Sequence, residues 1–199
     1  MQALIVIDVQ RDFCGGGALA VPDGDAVVAP INALMDEAGA VVLTQDWHPE
    51  GHSSFASQHA GKAPLETVDM PYGTQVLWPD HCVIGSDGAD FHPDLRTDRA
   101  EMIVRKGFRR NVDSYSAFFE NDHETHTGLA GYLRERGIAE LTFVGLALDF
   151  CVAWSAQDAR RLGFEATVRT DLCRAIDVDG SRAAAEAAMT EAGVKLAAS

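Results

Sequence analysis

Several things are scarce in this sequence. Its 199 residues hold four cysteines, Cys14, Cys82, Cys151 and Cys173, with no CxxC pair among them. That excludes a disulfide framework and a finger-type structural zinc site, and the thiols are read as reduced. Positive charge is short as well: 16 Lys and Arg stand against 30 Asp and Glu, for a net charge of -14. Such a chain stays soluble and offers little to a nucleic-acid backbone. No apolar run nears the ~20 residues that span a bilayer. The apolar run at residues 3–7 is cut off by Asp8 and is too short for an export signal. The expectation is a cytoplasmic protein with neither nucleic acid nor membrane as partner. Internal repeats and low-complexity linkers are also missing. With 47% hydrophobic residues the chain can fill one core, so residues 1–199 are expected to form a single domain.

What is present is a strand–helix alternation. Short apolar runs at 4–7, 40–44, 101–105, 141–144, 166–169 and 194–196 read as buried strands. Helical spacing appears at 25–38, where Val28, Ile31, Leu34 and Met35 share a face, at 124–136, from Cys151 to Leu162, and at 181–191. Asn121 or Asp122 would cap the second helix, and Gly39, Gly137 and Gly163 stop the first three. The stretch 45–99 is rich in Gly, Pro, His, Asp and Ser and is left as loop. The pattern predicts an α/β fold: three layers, with a mainly parallel sheet of six strands between helices.

Open parallel sheets bind ligands beyond the carboxyl ends of their strands. At those ends stand Asp8, Asp46 with His48, Lys106, and Cys151 just after Gly145, which is read as breaking its strand. Cys151 opens a helix, where unpaired N–H groups favour a thiolate and can hold an oxyanion. Asp8 could take and return a proton, and Lys106 would favour the thiolate and keep Asp8 charged. A nucleophile, an acid/base and a cation are what acyl transfer through a thioester needs. Taken alone, Lys106 with Arg105, Arg109 and Arg110 reads as a solvated basic face. Asp46 and His48 lie two apart, on one side of an extended chain, and His52 and His81 are further donors for a divalent metal. Phe13, Trp78 and Tyr115 could line a flat pocket.

These pieces together resemble the nicotinamidases of the isochorismatase-like cysteine hydrolase family. The matching segments are LIVIDVQRDFCGGGALAV, TQDWHPEGHSSF, WPDHCV, VRKG, VDSYSAFF and VGLALDFCV, in the family's order. The resemblance implies a Rossmann-type sheet and a catalytic triad of Asp8, Lys106 and Cys151. It implies one divalent ion, zinc, iron or manganese, on Asp46, His48 and His81, with His52 as a fourth ligand in some members. It also implies a cis Leu146–Ala147 peptide bond, which would aim the Ala147 N–H beside that of Cys151 to form an oxyanion hole. Phe13, Leu19, Trp78, Tyr115 and Ala147 would surround the substrate. The implied reaction is hydrolysis of nicotinamide to nicotinate and ammonia, a step of NAD salvage, with the metal positioning the ring and pyrazinamide as a second substrate. Leu148 and Phe150 depart from the family, which commonly has Thr and then Tyr or His there. The rival reading is a related cysteine amidohydrolase acting on a carbamoyl-type or other small amide. The oligomeric state, a homo-oligomer included, is left open.

Overall fold

A computed structural model describes residues 1–198. β1 (Gln2–Ile7), β2 (Val41–Asp46), β5 (Met102–Lys106), β6 (Glu140–Leu146), β7 (Glu165–Arg174) and β8 (Lys195–Ala197) form one sheet in the order β5-β2-β1-β6-β7-β8. Every pairing in it is parallel. β3 (Thr67–Met70) and β4 (Gly73–Val76) make a separate antiparallel hairpin inside the stretch 45–99 that is expected to be loop. Four α-helices cross between the sheet strands: α1 (Val28–Glu37), α2 (Leu129–Glu135), α3 (Ala153–Arg161) and α4 (Ser181–Glu191).

Alternation along β1 builds two cores. Ala3, Ile5 and Ile7 face a core shared with Leu129 and Leu133 of α2, Ala156 and Ala159 of α3 and Met189 of α4. Leu4 and Val6 face the other core, with Ile31 and Met35 of α1. A strand covered on both sides must be apolar throughout, which is why residues 3–7 read as an unbroken run rather than an alternation. The outer strands are less covered. Ile103 on β5 is half-exposed because β5 is an edge.

From β1 the chain proceeds outward to β2 and β5, then returns to the other side of β1 for β6, β7 and β8. The β1–β6 seam is therefore the point where the winding reverses, and a crevice opens there beyond the strand ends. Asp8 follows β1 and Cys151 follows β6, one on each side of that crevice.

Three sequence expectations change. The helix expected at 124–136 is only Leu129–Glu135. Asp122 does cap, but its carboxylate takes the N–H groups of Glu124 and Thr125 and the Thr125 hydroxyl, which holds a turn rather than a helix end. The helix expected at 25–38 begins as a 3-10 turn, Gly24–Val27, and is α-helical only from Val28. Gly145 does not end β6. It lies inside the strand with φ +114°, and a Cβ there would sit 2.2 Å from the Ile7 carbonyl oxygen. The glycine instead lets β6 approach β1 closely, and the pairing with β7 shifts register between Phe143 and Gly145.

Candidate active site

Asp46 and Lys106 are register partners on adjacent strands, so their side chains leave the sheet together. Lys106 is 1% exposed, contrary to its place in a basic run. Its ammonium lies 2.8 Å from Asp8 Oδ2 and donates to Asp46 Oδ1 at 2.9 Å, to the Ser114 carbonyl at 2.9 Å and toward Cys151 Sγ at 3.6 Å. Burial alone would drive this lysine neutral, but Asp46 and Asp8 outweigh it and hold its pKa well above the ordinary value. The neighbours Arg105 and Arg109 are elsewhere engaged, Arg105 over the Trp47 ring and Arg109 with Glu120.

The two carboxylates against Lys106 behave differently. Burial raises the Asp8 pKa against the pull of Lys106, while Asp46, although buried too, is held well below the usual range by His48 and Lys106. Asp8 is therefore suited to carry a proton and Asp46 to stay ionised.

Cys151 does not open an α-helix. It lies in a π-helical turn, Leu148–Val152, and α3 begins two residues later at Ala153. Wider turns of this kind recur at functional sites. Burial pushes the thiol well above its ordinary pKa, Lys106 opposes that, and the nearby carboxylates of Asp8 and Asp46 add to it. A resting thiolate, as expected from a helix N-terminus and a lysine, is not what this geometry favours. The Leu146–Ala147 bond is cis, and Ala147 and Cys151 line one pocket with Phe13, Leu19, Trp78 and Tyr115.

Asp46 faces the metal candidates with its second oxygen. Its Oδ2 lies 3.1 Å from His48 Nε2 and 3.4 Å from His81 Nε2. Ligands each ~2.1 Å from a zinc-like ion stand roughly 3.0–3.4 Å apart, so these separations fit one ion. Both rings are also turned correctly. His48 Nδ1–H donates to the Gly107 carbonyl at 2.9 Å and His81 Nδ1–H to the Pro79 carbonyl at 2.8 Å. Each tautomer then leaves an Nε2 lone pair for a metal.

His52 is not in this group; its ligand atom lies instead within 4.8 Å of those of His48 and Asp113. Its ring is 4.3 Å from that of His48, but Nδ1 accepts the Ser54 N–H and Nε2–H donates to the Arg109 carbonyl at 2.9 Å. Neither nitrogen keeps a lone pair for the ion.

Three contributors were missed in the sequence. Asp113 lies in the pocket, 3.9 Å from His48 Nε2, and sat in the quoted VDSYSAFF without a role. Gln10 holds the Asp46 backbone at both ends, accepting its N–H at 2.7 Å and donating to its carbonyl at 2.8 Å. Phe150 packs edge-on against Trp78 and Tyr115, with centroids 4.9 and 5.7 Å away. The apolar departure from the family thus completes an aromatic wall. Asp113 and Gln10 carried no spacing signal, because their partners lie far away in the chain.

A second group, Cys14, Asp25 and His92, also brings ligand atoms within 4.8 Å of one another. Here His92 Nδ1 accepts the Asp94 N–H, so Nε2 carries the proton and points it at Asp25 Oδ1, 3.2 Å away. Burial and Asp25 push the Cys14 thiol up to about 12. The group is a hydrogen-bonded strut between loops.

The chain compared with known proteins gives the same picture. Residues 2–199 match the Isochorismatase domain. The chain belongs to the isochorismatase family. Among its relatives, the nicotinamidase of Acinetobacter baylyi is 53% identical over 193 residues, covering 97% of this chain and 90% of that protein. A nicotinamidase/pyrazinamidase structure from Acinetobacter baumanii superposes with a TM-score of 0.97 at 53% identity, over 98% of this chain and 94% of the other. The pyrazinamidase of Pyrococcus horikoshii, solved in complex with zinc, has a TM-score of 0.80 at 34% identity and matches over 100% of this chain and 99% of its own. Isochorismatase-family membership agrees with the six-stranded parallel sheet and with the order of the motifs along it. No helix among the described residues is long and apolar enough to cross a membrane.

Proposed function

We propose that this isochorismatase-family enzyme is an amidohydrolase that converts nicotinamide to nicotinate and ammonia, with pyrazinamide as a second substrate. The observation that carries the reading is the convergence of Asp8, Lys106 and Cys151 beside the group Asp46, His48 and His81, at the sheet's winding reversal. The names and close similarity of the relatives support the substrate.

The flat amide would lie between Phe13, Trp78 and Tyr115, with its carbonyl carbon against Cys151 Sγ. Asp8 takes the thiol proton as sulfur attacks, and Lys106 offsets the charge that builds on both. The N–H groups of Ala147 and Cys151 would hold the oxyanion. Asp8 then gives its proton to the departing ammonia and leaves a thioester. In the second half Asp8 takes a proton from water, water attacks the thioester, the proton returns to Cys151 and the carboxylate product leaves. A divalent ion on Asp46, His48 and His81, with zinc the reading we favour, supplies a Lewis-acid contact for the ring nitrogen when bound. The aromatic wall favours a flat pyridine or pyrazine ring over a carbamoyl-type amide, which has no ring to pack against it. We also take residues 1–199 as one domain acting in the cytoplasm.

The test is ammonia release from nicotinamide, pyrazinamide and a carbamoyl amide, each before and after chelation. Nicotinamide turnover lost on chelation and restored by zinc is the expected result. Turnover of the carbamoyl amide alone would overturn the reading.

A further inference from the structure

Thr44 lies at the end of β2, two residues before Asp46, wholly buried and on the same strand face as Asp46. The β1–β2 pairing runs only to Val6 opposite Leu43, so Thr44 and Asp8 meet where the ladder has stopped. There the backbone of Asp8 turns into the left-handed region, φ +47°. A non-glycine residue in that region needs its surroundings to hold it. The Thr44 hydroxyl supplies two of the holds. Its oxygen accepts the Asp8 N–H at 3.1 Å, and its single proton goes to Asp8 Oδ1 at 2.5 Å. The other carboxylate oxygen, Oδ2, is then the one turned to Lys106 at 2.8 Å.

We propose that Thr44 is a positioning residue for catalysis: its hydroxyl fixes both the backbone and the carboxylate of Asp8, so that Oδ2 is presented to Lys106 and to the thiol of Cys151. The claim rests on the proposed role of Asp8 as the acid/base. A hydroxyl has one proton to give. Spent on Oδ1, it labels the two oxygens of a symmetric group and leaves only one for proton transfer. A β-branched apolar residue would suit the strand as well as threonine does, so the strand itself does not require the hydroxyl. Thr44 touches no substrate, and its effect is expected in kcat with KM unchanged.

The test compares the parent with Thr44→Val, which keeps the shape and removes donor and acceptor, and with Thr44→Ser, which restores both. For each, kcat and KM for nicotinamide, metal content per chain and the rate of Cys151 alkylation by iodoacetamide are measured. In Thr44→Val, kcat should fall about tenfold or more, KM should stay within about twofold and alkylation should slow, at parental metal content. Thr44→Ser should recover kcat and alkylation to within about threefold of the parent. A folded Thr44→Val with parental kcat, a serine variant as impaired as valine, or a valine variant that loses its metal would overturn the proposal. If valine prevents folding, Thr44→Ala is read by the same criteria. A parent inert toward nicotinamide would sink the substrate assignment alone, since the alkylation series still decides the role of Thr44.

Discussion

The site has two halves that share one strand pair. On one side Asp8, Lys106 and Cys151 are arranged around a proton and a nucleophile. On the other, Asp46, His48 and His81 turn a carboxylate oxygen and two imidazole nitrogens toward one another. Both halves are buried, both are built from strand ends, and both contain a carboxylate held by the same lysine. They differ in what the second oxygen of each carboxylate meets. Asp46 Oδ2 faces two imidazole nitrogens, and the charge of Asp46 is stabilised. Asp8 Oδ2 is turned to Lys106, 2.8 Å away, and burial lifts the Asp8 pKa. One residue type thus has its proton favoured in one place and its charge favoured in the other. Asp46, bonded to Lys106 through Oδ1, is the joint between the halves.

The largest expected effect separates them completely. Cys151→Ala should remove turnover by more than about a hundredfold while metal content and the fold remain, because losing a covalent nucleophile costs far more than ~3 kcal/mol of barrier. Residual ammonia release above about a hundredth of the parental rate would place the nucleophile elsewhere.

The next effect sharpens the role of the joint. His81→Ala should strip the metal, read by elemental analysis, yet leave the alkylation rate of Cys151 close to parental, since His81 does not touch Lys106. Asp46→Ala should strip the metal and also change the alkylation rate, because it frees one bond of the lysine. Stoichiometric metal in both variants would rule out the site as drawn, and identical alkylation in both would mean that the halves are not joined through Asp46.

Lys106→Gln should act on the catalytic half more than on the metal half. Turnover should fall at least about tenfold, each ~1.4 kcal/mol of lost charge stabilisation being worth one such factor. Alkylation of Cys151 should move to higher pH, since the cation that opposes the upward shift of the thiol is gone. The other three cysteines, followed by mass spectrometry, serve as internal controls. Superimposable pH curves would take Lys106 out of the triad. Lys106→Arg should rescue only in part, because a planar guanidinium cannot give the compact point charge that meets two carboxylates and a carbonyl here.

His52→Ala should have the smallest effect. It removes a hydrogen bond to the 109–112 backbone and a ring packed on His48, so melting temperature should drop while metal content stays near parental. Metal loss equal to that of His81→Ala would make His52 a ligand after all.

Much of this site was legible because each strand end carries one residue with distinct chemistry. Asp8, Asp46, Lys106 and Cys151 stand at or just past the ends of short apolar runs that alternate with helices, as parallel strands do, and parallel strands all present their ends on one edge. The strand–helix alternation gave the layers for the same reason. Less legible were the helix starts near Asp25 and Asp122, where side chains that bond the local backbone compete with helix formation. The β3–β4 hairpin was not seen, because each strand is only four residues and the alternation in β3 has just two apolar positions, Val68 and Met70, neither fully buried.

The sequence by itself determined the kit: one thiol after a strand, a lysine and two aspartates at other strand ends, and histidines in the loop that follows the second. Residue type and order along the chain were enough for that. Only the tertiary structure decided how the kit is used. It removed Lys106 from the basic surface that its neighbours suggest, and it buried the Cys151 thiol, which pushes the thiol's pKa up. It set the two aspartates in surroundings that push their pKa values apart, and it turned both His52 nitrogens to Ser54 and the 109–112 backbone while leaving its ring against His48. Each of these is a matter of which atom faces which across the fold. Burial, carbonyl partners and register between distant strands set those facings, and none of them leaves a spacing in the chain.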